Sequence, residues 1–591
     1  MARIFGIDLR TLALFRICLG GVILADLINR AGFITAFYSD QGVLTRAEAI
    51  AFNHSARISF HLMSGSPLVM DLLFVIAGIL SVLLMLGYRT RLVTVLSWLF
   101  LVSLNNRNLM IQQGGDELIS VLAFWAIFLP IGARYSVDAA LKPDDQPRPP
   151  DAYFSIATFA MLLQVIYVYV IGALLKDSPI WMPGGQGIYY AMHLDSLATP
   201  LAHWFRQYGA ILQVLTYYVW TLELLAPLLV FSPIWHLPLR LVAMVLLITM
   251  HLGFFLFLEI GLFPFISITS LLLFTPGAVW DWLGRRVYPP SKRAIAIYYD
   301  GKCGFCLKTA KLLRTFCLPG DVPIRPAQDD PDIRPLFEAE ESWVVTDGQG
   351  NRWTKWAAVA FVLRQSKVFW LPGKAFEWRP LARLGDRLYR LIGDNRTGPL
   401  GWFSARFLPY RYQWLRLSRA ETLLVGALTV MVFAHNLTTL PKVNYQLPEP
   451  VQAFQRAVRL HQNWNMFAPW PAKRDGWFVV RGVMEDGAVV DLWHRRPGEP
   501  DTAKPRYVSK WYTDYRWRKY LSRLPNKKYR GQVKNFARYY CRTYNRFDPG
   551  AVRLATLTID YHRERTLPDY QPPEYKVIRL LNWNCLPKGD A

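Results

Sequence analysis

Cys303 and Cys306, in the run D-G-K-C-G-F-C at Asp300–Cys306, have the spacing that thiol redox chemistry uses. The stretch around them, Ile295–Leu313, reads as a buried strand over Ala294–Tyr299, an Asp300-Gly301 turn and a helix starting near Cys303. Unpaired amides and the dipole of a first helical turn favour a thiolate at that position. On this reading Cys303 is the exposed, activated sulfur, and Lys302 and Lys308 add positive potential. Cys306, one turn on, resolves a mixed disulfide. Half of a zinc site is the second chemistry the pair allows, and plain structural cysteines the third. No other C-x-x-C or His pair follows at finger spacing, and no metal site is expected.

A second set of candidates lies in apolar surroundings. Lys176 closes an apolar run and leads into D-S-P-I-W-M-P-G-G-Q-G. Its structural reading is a lysine snorkelling from a helix end. Asp26, Glu223, His251 and Glu259 also sit in apolar runs, where ionisable groups are costly. Each alone reads as a packing group; together they point to a polar cavity within a helical bundle.

The elements that position these residues are mostly membrane spans. The chain has 591 residues, 52% hydrophobic and 14% aromatic, with the apolar residues clustered. Runs of spanning length occur at Thr11–Ile28, Leu68–Gly87, Leu92–Met110, Glu117–Ala133, Ser155–Leu175, Gly209–Phe231, Leu239–Leu258 and Gly261–Pro276, with a ninth at Thr422–Leu440. The first is followed by Asn29-Arg30 rather than a small-residue cleavage site, so it reads as a retained span. Arg3, Arg10, Arg89, Arg91, Arg134, Lys142, Arg148, Arg240, Arg285, Arg286, Lys292 and Arg293 gather in alternate loops. The expected topology therefore has the N-terminus and the C-x-x-C segment cytoplasmic, and the tail outside. The net charge of +24 is read as cytoplasmic loops and contact with anionic lipid, with nucleic acid not expected as a partner.

Around the cysteines, Val322–Arg325 and Ser342–Thr346 read as further strands, Asp347-Gly348 as a turn and Ala357–Arg364 as a helix. Asp144–Pro150 reads as a rigid polar linker. In the tail, Trp477–Met484 and Val489–Trp493 flank a Glu485-Asp486-Gly487 turn, a hairpin pattern, followed by basic aromatic helices near Tyr512–Leu524 and Tyr529–Tyr544. Six cysteines are too few for a disulfide scaffold, but Cys541 and Cys585 are free to pair if the tail lies in an oxidising compartment.

Two resemblances follow from these motifs. D-G-K-C-G-F-C resembles the signature of the DCC family of thioredoxin-like thiol-disulfide oxidoreductases, over about Ala294–Gly398. One departure is that Glu340-Glu341 precede Ser342, where thioredoxins carry a cis-proline. The segment Val170–Tyr190, with D-L-R-T-L-A-L-F-R-I at Asp8–Ile17 and Q-G-G-D-E-L at Gln112–Leu118, resembles the HTTM family and the membrane domain of vitamin K-dependent γ-glutamyl carboxylases. N-W-N-M-F-A-P at Asn463–Pro469 also looks like the tails of such proteins. This resemblance implies a reduced quinone or vitamin K-like cofactor, with Lys176 as the base that deprotonates it. The carboxylase histidine has no counterpart, because Gly114-Gly115-Asp116 stand in its region, so glutamate carboxylation is not expected.

The expected architecture is a polytopic helical membrane bundle (1–290, about eight helices), an inserted thioredoxin-like α/β domain (294–400), a further span (420–441) and a C-terminal basic, aromatic α+β domain (442–591) in a bacterial inner membrane. The expected function is a membrane-anchored thiol-disulfide oxidoreductase acting on a thiol or disulfide partner. The alternatives are a quinone-dependent carboxylase-like enzyme and a non-enzymatic scaffold or transporter.

Overall fold

The computed structural model describes residues 1–52, 57–147, 149–287, 294–546 and 552–586. Arg148, Lys292 and Arg293, counted in the charge pattern above, lie outside the described residues. Helices α1 (Leu9–Ala31), α2 (Pro67–Leu86), α3 (Thr90–Arg107), α4 (Gly114–Ala126), α5 (Ile156–Leu175), α6 (Gly209–Phe231), α7 (His236–Phe257) and α8 (Phe263–Leu271) form the bundle. A short amphipathic helix, α9 (Gly277–Val287), follows.

Among the described residues six helices, not nine, are long and apolar enough to cross a membrane, namely α1, α2, α5, α6, α7 and the later Arg419–Thr438, or seven if α8 and its bent continuation form one span. The expected third span, α3, ends in buried Asn105, Asn106 and Arg107, which lower its hydropathy. The expected fourth, α4, has 13 residues and is buried along almost its whole length, as a core helix shielded from lipid. The expected eighth breaks at Thr275-Pro276, since proline cannot continue a helix, and α9 departs at 92°.

The alternation of the chain survives these corrections. Arg16 on α1 donates to the carbonyls of Met85, Ile131 and Tyr135, so the start of α1 and the ends of α2 and α4 meet at one end of the bundle. Asp138 there accepts from the amides of Arg89 and Thr90 that open α3. Arg240 donates to Ile4 and Thr11 to Thr275 at this same end. The opposite end gathers Arg30, Asp116 and Lys176.

The segment after α9 folds around its own cores. Strands β1 (Ala296–Tyr299), β2 (Ile324–Pro326), β3 (Val344–Thr346) and β4 (Arg352–Thr354) form a sheet in the order β2-β1-β3-β4. β1 runs parallel to β2 and antiparallel to β3, and β3 is antiparallel to β4. Because successive strand residues face opposite sides, Ile297 and Val345 enter one core, and Tyr298 and Val344 the other. β4 was not legible in the sequence. Helices α10 (Gly304–Cys317), α11 (Lys355–Gln365), α12 (Arg379–Asn395) and α13 (Pro399–Phe407) accompany the sheet.

Within the expected rigid linker at Asp144–Pro150, Asp144 pairs with Lys311 at 2.7 Å and Gln146 donates to the Gln413 carbonyl. Tyr88 likewise donates to Phe407, so the cysteine-bearing segment sits at the end of the bundle where α1 begins. Helix α14 (Arg419–Thr438) starts there, with Glu421 paired to Arg91, and ends at the opposite side, where His435 meets Gln462.

The tail is a five-stranded antiparallel sheet with helices α15 (Tyr515–Arg523) and α16 (Arg530–Arg546). Its strands β5 (Arg474–Met484), β6 (Val489–Asp491), β7 (Arg496–Pro497), β8 (Leu554–Arg565) and β9 (Glu574–Asn584) run in the order β9-β8-β5-β6-β7. Cys541 and Cys585 are disulfide-bonded, tying α16 to the end of β9. Bundle and tail share one hydrophobic core, in which Trp477, Trp517 and Ile559 belong with Leu12 and Val165.

A buried charge cluster locks them together. Arg30 donates to Asp26 at 2.7 Å and to Asp116 at 2.6 Å, and Arg516 of α15 donates to Asp26 at 2.6 Å and to Asp116 at 3.0 Å. All four side chains are at most 5% exposed. Removing one partner of such a cluster leaves an uncompensated buried charge, at a cost of roughly 3–5 kcal/mol. Arg516→Met is therefore expected to lower the thermal midpoint of the detergent-solubilised protein by several degrees. Lys510→Ala, which breaks the exposed Glu259–Lys510 pair, should leave it nearly unchanged.

Candidate functional sites

The dithiol is built by a strand, a turn and a helix start. β1 delivers Asp300, whose carboxylate accepts from the Lys302 amide at 3.1 Å and from Gln328 at 2.9 Å, fixing the turn. Cys303 then occupies the N-cap of α10, and its Sγ accepts the Cys306 amide N–H at 3.2 Å. This is the position where a helix start favours a sulfur anion.

Two expectations about this site are corrected. Cys303, expected to be exposed, is buried at 6% exposure, and Cys306 is half-buried; capping turns the Cys303 side chain over the first turn. The Lys308 amine is engaged elsewhere: it donates to the Ser404 carbonyl at 2.9 Å and lies over the Tyr410 ring. The cation that acts on the pair is Arg396, which follows α12 and stands 3.6 Å from Asp300. Sequence reasoning missed it, since it is 90 residues downstream in a segment with no motif. Burial pushes the Cys306 thiol up to about 12; the hydrogen bond and charge of Cys303 add to this, and Arg396 opposes it. Ser342, which follows Glu340-Glu341, accepts the Lys355 amide at 2.7 Å and bonds the Tyr389 hydroxyl at 3.0 Å.

Comparison with protein families bears on both halves. Residues 6–282 match the HTTM domain, and residues 297–402 match the DCC1-like thiol-disulfide oxidoreductase. The chain carries an HTTM domain followed by a DCC1-like domain. No curated protein matches it, and no solved structure does.

The far end of the HTTM domain holds a second site. A cavity of about 690 Å³ lies between the bundle and the tail, lined by Lys176, Glu223, Phe263, Trp464, Asp475 and Lys519 among others. The Lys176 amine pairs with Glu223 and lies 4.9 Å from the centre of the Trp181 ring. Trp181 is held by its own N–H to the Phe467 carbonyl at 3.0 Å, so the tail shapes the lysine's surroundings. The four acidic and histidine candidates do not meet in one cavity. Glu223 lines it, Asp26 belongs to the charge cluster, His251 bonds Tyr169 at 3.0 Å, and Glu259 pairs with Lys510. Asp116 of the Q-G-G-D-E-L run is likewise held between Arg30 and Arg516.

Asp475 is a cavity residue that sequence reading missed, because it opens a strand with no local signal. Its carboxylate accepts the Ser196 amide at 2.7 Å, yet burial, with the charges of Asp195 and Glu564 adding to it, pushes it up to about 7. A carboxyl raised on folding binds a proton in the folded state at pH values where the unfolded chain has lost it. Its contribution is thus full below about pH 4 and lost as pH rises through about 7. Asp475→Asn should flatten that part of the profile when thermal midpoints are compared from pH 4 to 8. Separately, in a Cys303→Ser variant, alkylation of Cys306 should keep accelerating with pH beyond the ordinary thiol range near 8.5, since burial remains its largest perturbation. A plateau below pH 9 would contradict this environment.

Proposed function

We propose that the protein is a membrane-anchored thiol-disulfide oxidoreductase whose DCC1-like domain uses Cys303 as nucleophile and Cys306 as resolving thiol. The observation that carries this is the Cys303 sulfur at the α10 cap, accepting the Cys306 amide, in a segment that matches the DCC1-like model. Cys306 is the member kept as a thiol by its surroundings, which suits the resolving role. The Cys303 thiolate attacks one sulfur of a partner disulfide; an S–S bond forms, the partner's breaks, and its second sulfur leaves as thiolate. Cys306, losing its proton, then attacks Cys303, releases the partner as a dithiol and leaves Cys303–Cys306 oxidised, a two-electron exchange. The sheet order β2-β1-β3-β4, with β1 and β2 parallel, supports a thioredoxin-like fold for this domain.

The proposed division is the one read from the sequence: bundle to about 290, redox domain to about 400, a span at 420–441 and the tail beyond. We assign the redox domain to the cytoplasmic side of a bacterial inner membrane and the tail to the outside. Arg89, Arg91, Arg134 and Arg240 at the redox end support this. So does the Cys541–Cys585 disulfide in the tail, a bond that persists in oxidising compartments.

A second reading rests on Lys176. Buried against Glu223 at the cavity, its amine is placed to meet a quinol-type ligand, the role the carboxylase-like resemblance gives it. Its partner in proton chemistry would be Glu223, not Asp116.

Impermeant maleimide applied to spheroplasts should label Cys303 and Cys306 only after permeabilisation, and Cys306→Ser should accumulate a mixed disulfide through Cys303. Labelling of intact spheroplasts would reverse the topology, and trapping through Cys306 in Cys303→Ser alone would reverse the roles.

A further inference from the structure

The tail-side wall of the 690 Å³ cavity carries Arg518 and Lys519, neighbours on α15, together with Arg523 and Arg474. Carboxylates line the cavity too, but each is engaged. Glu223 is paired with Lys176, Glu117 accepts the Asn463 amide at 3.2 Å, and Asp475 accepts that of Ser196. Arg523 spends its guanidinium on the backbone carbonyls of Leu109 and Gln112.

Arg518 and Lys519 differ from these. Among the described residues, neither side chain makes a hydrogen bond or a salt bridge, and the Arg518 Nε is fully buried without a partner. Burial and the neighbouring Arg523 and Arg518 charges pull the Lys519 amine down to about 8, with Glu117 and Asp116 opposing. Five cations thus face three carboxylates in one cavity, and among the described residues Arg518, Lys519 and the exposed Arg474 have no counter-group. Desolvated cations left unpaired are expensive. The remaining wall is apolar: Val168, Val219, Phe254, Leu258 and Phe263. Its volume is within the roughly 300–1,000 Å³ of small-molecule sites.

We propose that this cavity binds an anionic amphiphile, with an oxyacid headgroup on Arg518 and Lys519 and an apolar body along the bundle wall. The site is independent of the dithiol chemistry, and it does not require Lys176 to act as a base. The headgroup chemistry is shared by a fatty-acid carboxylate and a phospholipid phosphate. A planar guanidinium beside an ammonium serves either.

The test uses the full-length protein in a neutral maltoside detergent, titrated with oleate, dioctanoyl phosphatidate and dioctanoyl phosphatidylcholine while tryptophan fluorescence is followed. Trp181, Trp464 and Trp470 line the cavity and serve as reporters. Saturable binding of oleate, phosphatidate or both, with phosphatidylcholine at least tenfold weaker, is the expected result, and the preferred probe identifies the source. Lys519→Gln and Arg518→Gln should each weaken the anionic probe by about tenfold, the size of one charge-assisted hydrogen bond. Lys519→Glu should weaken it further. Lys519 is partly exposed to the cavity, so its variants keep the test sound if Arg518→Gln does not fold. Absence of saturable binding, equal affinity for the zwitterionic probe, or affinity unchanged in both Lys519 variants would overturn the proposal.

Discussion

Two arginines and two aspartates, buried where bundle and tail meet, form the constraint on which the rest of the molecule turns. Asp26 and Arg30 lie one turn apart on α1, Asp116 opens α4, and Arg516 comes from the tail. Their formal charges cancel, and each carboxylate is shared by both guanidiniums. Desolvating four ions is unfavourable by itself, so what the cluster supplies is mutual dependence more than net stability. Without α15, two carboxylates would face one guanidinium in an apolar interior. The tail is therefore part of the bundle's own core, as the shared packing of Trp517 and Trp477 with Leu12 and Val165 also requires.

The DCC1-like domain stands in contrast. Its two small cores are closed by its own sheet and helices; Lys311 ties it to Asp144 of the HTTM domain, and just beyond it Gln413 and Phe407 accept from Gln146 and Tyr88. Such a unit can be gained without repacking the membrane half. The cavity, by comparison, has walls from both HTTM domain and tail, and neither forms it alone.

How much of this the sequence discloses follows from how local each cause is. The strand, turn and helix around Cys303 are set within about twenty residues, and their pattern was readable. The burial of Cys303 was not, because capping geometry and the packing of α12 decide it. Spans were found by hydropathy, but hydropathy cannot tell a lipid-facing helix from α4, an apolar helix enclosed by its neighbours. The tail hairpin at Glu485-Asp486-Gly487 carried a turn signal, whereas β8 and β9 alternate apolar with charged residues and were overlooked. Lys176 was noticed without its partner, and Asp26 without Arg516. Such pairs join positions 47 and 490 residues apart, and no local pattern encodes them.

That last separation has a consequence for biogenesis. Ribosomes add about 5–20 residues per second, so Asp26 is made roughly 25–100 seconds before the arginine that completes its charge cluster. From the making of Asp116 onward the first helices must sit in or beside the membrane with an acidic excess, and the redox domain can finish folding before the tail exists. The bundle is thus closed last and from outside its own sequence, by a segment that must first cross to the other end.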